Sequence, residues 1–149
     1  FINKYKYIFI IFPPSSGKTT FCKKYLLNKN YIRLSKDDYY ESDYKKAIIN
    51  NINDKIVFDN TNYTEKSRNS IIDILRSHKV DIKDIGFIYR NIPKEISLYL
   101  NHYRHFISKG KTPLIPEVAI HSYYKYLVLP SNNIITISHW INNLKNFLY

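Results

Sequence analysis

Apolar and polar positions alternate along the chain in two rhythms, one of strands and one of helices. Tyr5–Phe12 (YKYIFIIF) is an almost unbroken run of β-branched and aromatic residues, the pattern of a strand buried on both faces. Phe21–Leu27 then shows helical spacing, and Tyr31–Ser35 (YIRLS) reads as a second strand. Glu41–Asn51 predicts a helix, and Lys55–Asp59 (KIVFD) a buried strand that ends on a carboxylate. Thr64–His78 places Ile71, Ile72, Ile74 and Leu75 on one helical face, with Thr64 in capping position. Asp84–Tyr89 (DIGFIY) predicts a fourth strand. Pro93–Phe106 is a helix opened by proline, with Ile96, Leu100 and Tyr103 on its apolar face. Pro116–Leu127 and Asn133–Ile137 complete the set as a helix and a strand. Strands that alternate with helices imply right-handed crossovers and a parallel sheet covered on both faces. The expected class is α/β, in one domain over residues 1–149 without internal repeat or linker.

Composition narrows the setting. A hydrophobic content of 44% excludes a disordered tail. No apolar run approaches the ~20 residues of a membrane helix, and no signal peptide is visible, so no membrane partner is expected. The single cysteine, Cys22, cannot form an intramolecular disulfide, which points to a reducing, intracellular compartment. Methionine is absent even from position 1, the expectation being a piece cut from a longer chain. Lys plus Arg exceed Asp plus Glu by 23 to 12, a formal charge of +11 that suggests a polyanionic partner. The abundance of Ile, Lys, Asn and Tyr is also what an AT-rich genome produces, so the charge counts only once it is located.

Four segments carry candidate chemistry. Phe12-Pro13-Pro14-Ser15-Ser16-Gly17-Lys18-Thr19 sits between a strand and a helix and matches the second glycine, the lysine and the hydroxyl of a phosphate-binding loop. In such a loop the backbone N–H groups of Pro14–Thr20, proline excepted, and the helix N-terminus bind phosphate oxygens. Lys18 would bridge the β- and γ-phosphates, and the Thr19 hydroxyl would bind Mg²⁺. Phe12 and Ser15 stand where glycine is usual, so the loop is either adapted or weakened for nucleotide; the plain alternative is a Ser/Pro turn capping a helix. Ser35-Lys36-Asp37-Asp38-Tyr39-Tyr40 follows the second strand, where a carboxylate can take a proton from an attacking hydroxyl or cap the next helix. Asp59-Asn60-Thr61-Asn62 follows the KIVFD strand. Asp59 is placed to orient Thr19 or a metal-bound water, and Asn62 to cap the next helix, on whose exposed side Arg68 is expected. Asn101-His102-Tyr103-Arg104-His105, followed by Ser108–Thr112, forms a cationic helix end and basic loop suited to a lid over phosphates. The two histidines lack a nearby Cys or acidic ligand to complete a metal site.

These segments resemble, in order and spacing, the kinase domain of the polynucleotide 5′-kinase family, in particular the C-terminal half of the eukaryotic bifunctional polynucleotide kinase 3′-phosphatases. The pieces that carry the resemblance are SGKTT, SKDDYY, DNTN with Arg68 six residues on, NHYR, and IPEV followed by SYYKYLVLP. They cover Tyr7 to about Pro130.

The resemblance implies a P-loop kinase-like sheet with a helical lid, and ATP-dependent phosphorylation of 5′-hydroxyl ends of DNA or RNA with Mg²⁺, as in end repair. It implies that Asp37 activates the 5′-hydroxyl and that Lys18 and Thr19 handle the ATP phosphates and Mg²⁺. Arg104 is then the lid arginine on the transferred phosphate, Lys36 and Arg68 contact the acceptor backbone, and Asp59 supports the site. Lys36 replaces the family's arginine, and Tyr40 replaces a basic residue of phage members. The acidic-Gly-aromatic stretch expected after Pro130 reads Ser131-Asn132-Asn133 instead. No DxDxT phosphatase motif is present, so a phosphatase half, if any, would precede Phe1, and a eukaryotic source would imply the nucleus. The competing expectations are a P-loop kinase for a small molecule or nucleoside, and a non-catalytic nucleotide- or nucleic-acid-binding module.

Overall fold

The computed structural model describes residues 2–137. Five strands, β1 (Tyr7–Ile11), β2 (Tyr31–Leu34), β3 (Lys55–Phe58), β4 (Ile85–Arg90) and β5 (Ile134–Ile137), form one sheet in the order β2-β3-β1-β4-β5. Every pairing is parallel, with Phe9 of β1 opposite Phe58 on one side and Phe87 on the other. The helices are α1 (Lys18–Tyr25), α2 (Glu41–Asn50), α3 (Glu65–Ser77), α4 (Lys94–Ile107) and α5 (Glu117–Tyr126). All ten elements expected from the pattern are present, joined by short 3-10 turns at Ile2–Lys4, Leu27–Lys29, Lys36–Asp38 and Ile82–Asp84. The expected domain end at residue 149 lies outside the described residues.

The central strand explains both cores. Successive side chains of β1 point to opposite faces. Tyr7, Phe9 and Ile11 pack with Tyr44 and Ile48 of α2 and Ile71 and Leu75 of α3. Ile8, Ile10 and Phe12 pack with Phe21 and Cys22 of α1 and with Leu26. Residues Ile8–Phe12 are completely buried, which is why the sequence there shows no polar alternation. Each such side chain contributes about 1.5–3 kcal/mol by leaving water. Gly86 in β4 is required by close approach, since a Cβ there would lie 2.6 Å from the ring of Tyr5. Two boundaries differ from expectation. Helix α1 begins at Lys18 rather than Phe21, because its polar first turn carries no apolar periodicity. Strand β4 runs on through Arg90, whose charge reads as a strand end yet lies 2% exposed.

This topology fixes where a ligand can bind. Strand β1 lies between β3 and β4, so the chain leaves the sheet in opposite directions on its two sides. The carboxyl ends of the strands flank a crevice at that switch point, and three of the four candidate segments follow directly on β1, β2 and β3 at that edge, the fourth lying within α4.

Candidate active site

The loop between β1 and α1 is shaped by hydroxyls where glycines were expected. Ser15 has φ 57 and Gly17 φ 83, both left-handed. A non-glycine residue there is costly by about 1–3 kcal/mol unless its surroundings hold it. The Ser15 hydroxyl lies 2.7 Å from the Pro14 carbonyl and 3.0 Å from that of Ser97, and Ser97 Oγ donates to the Pro14 carbonyl at 2.7 Å. Ser16 Oγ donates to the Pro13 carbonyl at 2.6 Å. Phe12, at the other missing glycine, faces away from the loop into the core, its ring 5.1 Å from that of Phe21. Arg90 covers the other side of that ring at 5.7 Å and reaches the Ser16 carbonyl at 3.5 Å. Burial lowers the Arg90 pKa to about 10. The loop is therefore tied from behind by Ser97 and Arg90, neither of which the sequence motifs single out.

In front of the loop lies a cleft of about 470 Å³, lined by Ser15–Thr20, Asp37, Arg90, Tyr103 and Arg104 among others. Of the residues expected to bind nucleotide, all but Pro14 line it; Pro14 is buried and its carbonyl is used by the two serines. Lys18 Nζ donates to the Pro13 carbonyl at 3.4 Å. Burial lowers the Lys18 pKa, Asp59 opposes that shift, and the facing charge of Arg104 adds to it. Arg104 Nε is buried without a hydrogen-bond partner among the described residues. With Arg90, three cations thus line one cleft, and an anion between Lys18 and Arg104 relieves their opposition.

The two aspartates of the SKDDYY segment divide their work. Ser35 caps the short turn, accepting from the Asp37 amide, and neither aspartate caps α2. Asp37 lines the cleft, whereas Asp38 pairs with Arg33 at 3.0 Å. Asp59, with its side chain 1% exposed, accepts from the Thr19 hydroxyl at 3.0 Å and from Arg33 Nε at 2.5 Å through the same oxygen, Oδ2. Its other oxygen, Oδ1, is buried without a hydrogen-bond partner among the described residues.

The DNTN turn is a structural clasp. Asn60 Oδ1 accepts from the Lys36 amide at 2.8 Å, and its Nδ2 donates to Tyr44 Oη at 3.1 Å. Asn62, at φ 49, donates to the carbonyls of Ile10 and Phe58 at 2.8 and 3.1 Å, bridging the ends of β1 and β3. It does not cap α3; Thr64 does, accepting from the Ser67 amide at 3.1 Å. Arg68 is corrected outright. Expected on the exposed side of its helix, it is 4% exposed, and its Nη1 donates to the Asn62 carbonyl at 2.9 Å, which turns its helix spacing into a lock on the turn. Lys36 is exposed and does not line the cleft; it borders a separate hollow with Tyr39, Tyr44 and Ser70.

The segment after α4 is stapled to it. Asn101 pairs twice with Ile115, each bond 2.8 Å, and His105 Nδ1 donates to the Thr112 carbonyl at 2.8 Å. Lys109 and Lys111 are exposed and do not line the cleft, contrary to expectation. His102 faces Glu117 at 3.7 Å on the surface.

No family model matches the chain. Over 131 residues it is 30% identical to a bifunctional polynucleotide phosphatase/kinase of Acanthamoeba polyphaga mimivirus, covering 86% of this chain and 31% of the relative. It is 29% identical over 121 residues to the bifunctional polynucleotide phosphatase/kinase of Schizosaccharomyces pombe, covering 79% and 28%. The chain is a relative of the bifunctional polynucleotide phosphatase/kinases. It spans about a third of the length of these curated relatives. Among solved structures, a gluconokinase from Sinorhizobium meliloti superposes with a TM-score of 0.61 at 11% identity, over 88% of this chain and 81% of that one. A chain of the Pnkp1/Rnl/Hen1 RNA repair complex gives 0.63 at 20% identity, over 81% and 43%. These likenesses and the five-stranded parallel sheet make the fold α/β and P-loop kinase-like. Arg33, Arg90 and Ser97 stand outside the motifs; a charge in an otherwise apolar strand marks the two arginines in the sequence, and nothing marks Ser97.

Proposed function

We propose that this chain transfers the γ-phosphoryl group of ATP to the 5′-hydroxyl end of a nucleic acid strand. The observation that carries the reading is the convergence of Asp37, Lys18 and Arg104 on one cleft in front of the loop. The phosphates are held by loop amides and by the N-terminus of α1, whose first turn carries no acidic residue to oppose them. Lys18 exchanges the Pro13 carbonyl for phosphate oxygens, a stronger charge-assisted partner. Asp37 accepts the proton of the 5′-hydroxyl as its oxygen forms a bond to the γ-phosphorus. The bond from that phosphorus to the bridging oxygen breaks, and ADP leaves with the electron pair. Arg104 stabilises the charge on the transferred group from the α4 side.

Thr19 and Asp59 suit Mg²⁺, since both offer oxygen and Asp59 Oδ1 is buried and unsatisfied among the described residues. When bound, the ion would neutralise phosphate charge. Lys36, exposed beside Asp37, contacts the acceptor backbone, and Arg68 supports that edge by holding the DNTN turn rather than by contacting nucleic acid.

The test is transfer from γ-labelled ATP, offered in parallel to a 5′-hydroxyl oligonucleotide, nucleosides and small sugars. Label on the oligonucleotide end is expected. Label only on small acceptors, or nucleic-acid binding without transfer, overturns the reading.

A further inference from the structure

Arg33 is the charged side chain in β2, and it occupies the corner where a metal ion would be held. Its guanidinium makes three contacts. Nε donates to Asp59 Oδ2 at 2.5 Å, Nη1 to Asp38 Oδ2 at 3.0 Å, and Nη2 to Thr19 Oγ1 at 3.4 Å. The Thr19 hydroxyl hydrogen is already committed to Asp59 Oδ2, at 3.0 Å. What Nη2 approaches is therefore the lone-pair side of the Thr19 oxygen, the side a hard cation needs. Burial opposes the charge of Arg33, and Asp59 with Asp38 outweighs it, holding the guanidinium above its ordinary pKa. The group is thus a fixed positive charge in that corner.

We propose that Arg33 is a resident cation of the Thr19–Asp59 corner, in direct competition with the divalent metal of the nucleotide, and that Asp38 is the carboxylate to which it withdraws. The inference rests on the nucleotide reading above. The Arg33 charge offsets that of Asp59, so it lowers the attraction a divalent ion meets there until the guanidinium moves away, and interaction between charges weakens with separation. The two carboxylate partners differ in exposure. The Asp59 side chain is 1% exposed and enclosed, whereas that of Asp38 is 54% exposed and already holds Nη1. Asp38 can draw the guanidinium outward without breaking the salt bridge it has.

The competition separates Arg33 from a residue that merely props Asp59. Arg33→Gln removes the competitor and should tighten metal–nucleotide binding by about tenfold. Asp38→Asn removes the outer partner, leaves Arg33 on Asp59 and Thr19, and should weaken that binding severalfold. A prop would weaken binding on loss of Arg33 and leave it unmoved on loss of Asp38.

The experiment is a Mn²⁺ titration of the full chain in the presence of ADP, read by electron paramagnetic resonance of free Mn²⁺ and so independent of turnover. Opposite shifts for the two variants support the proposal. Shifts in one direction, or none, overturn it while leaving the nucleotide reading intact. A wild-type chain that binds no Mn²⁺ with ADP overturns both. Should Arg33→Gln fail to give a cooperative melt, Arg33→Lys replaces it. Lysine keeps the charge but cannot span Asp59 and Thr19 together, so metal–nucleotide binding should tighten by a smaller factor, and weakening would overturn the proposal.

Discussion

Lys36 and Arg68 are both basic, both belong to the family-like motifs, and differ in what their loss should do. Lys36 is exposed beside Asp37 and its side chain makes no ion pair among the described residues, so its charge is available to a phosphate. Lys36→Ala should weaken acceptor binding regardless of base sequence and reduce the salt dependence by about one phosphate contact; an oligonucleotide titration at several salt concentrations checks this, and an unchanged slope would remove Lys36 from the surface. Arg68 is 4% exposed and hydrogen-bonded to the Asn62 carbonyl. A hydrogen bond to a charged group is worth about 1.5–3 kcal/mol, so Arg68→Ala should lower the melting temperature distinctly while leaving the salt slope unchanged. A stable Arg68→Ala chain with a flatter slope would restore Arg68 to the nucleic-acid surface. Arg68 stands three and seven residues before Ile71 and Leu75, on the same buried face of α3, so the helical period itself points it inward. The period does not show its partner, because only the bend of the DNTN turn brings a carbonyl within its reach.

At the level of elements, the phosphate-binding loop works through α4 as much as through its own residues. Ser97 is completely buried, and its hydroxyl and carbonyl hold Pro14 and Ser15. Ser97→Ala removes the hydroxyl that donates to the Pro14 carbonyl, at a cost of about 1–3 kcal/mol, and keeps the Ser97 carbonyl that the Ser15 hydroxyl faces, so the loop loses one of its two ties to α4. The expected outcome is a nucleotide KM raised more than the acceptor KM; equal effects on both, or none, would mean that the loop keeps its shape unaided. The strands and helices were legible because each buries a face, and burial imposes a period on the sequence. The loop lying between a strand and a helix was legible for the same reason. What holds the loop was not. Ser97 and Arg90 sit in elements whose periodicity is set by other residues, and their contacts join positions 82 and 74 residues apart in the chain. The division of labour between Asp37 and Asp38 was equally hidden, since it depends on Arg33 reaching across from β2.

Over the whole molecule, the +11 charge resolves into a few located cations and a surrounding surface. Lys18, Arg90 and Arg104 line the cleft, Lys36 is exposed next to Asp37 in the chain without lining it, and Lys109 and Lys111 are exposed and do not line it. The tyrosines give the fold a pH limit. Burial raises the phenols of Tyr7, Tyr31, Tyr44, Tyr89, Tyr123 and Tyr124, that of Tyr44 to about 12. In the unfolded chain they ionise near pH ~10. Above that pH the folded state binds more protons than the unfolded one, so stability falls as pH rises. Lys18, Arg68 and Arg90, all lowered by burial, act in the opposite sense, three groups against six phenols. Thermal melts from about pH 9 to 11 should show the melting temperature falling as tyrosinate absorbance appears on unfolding; a flat profile would contradict the burial of these rings. The central claim is narrower, that the cleft is a phosphoryl-transfer centre with Asp37 as the base for a nucleic-acid 5′-hydroxyl. General-base catalysis supplies about 10²–10⁴-fold. The most direct measurement is single-turnover transfer from γ-labelled ATP to a 5′-hydroxyl oligonucleotide by the wild type and by Asp37→Asn, with ADP binding measured on both. The account predicts transfer by the wild type, a loss of about that size in the variant, and retained ADP binding. Transfer at the wild-type rate by Asp37→Asn, or no transfer by the wild type, would contradict it.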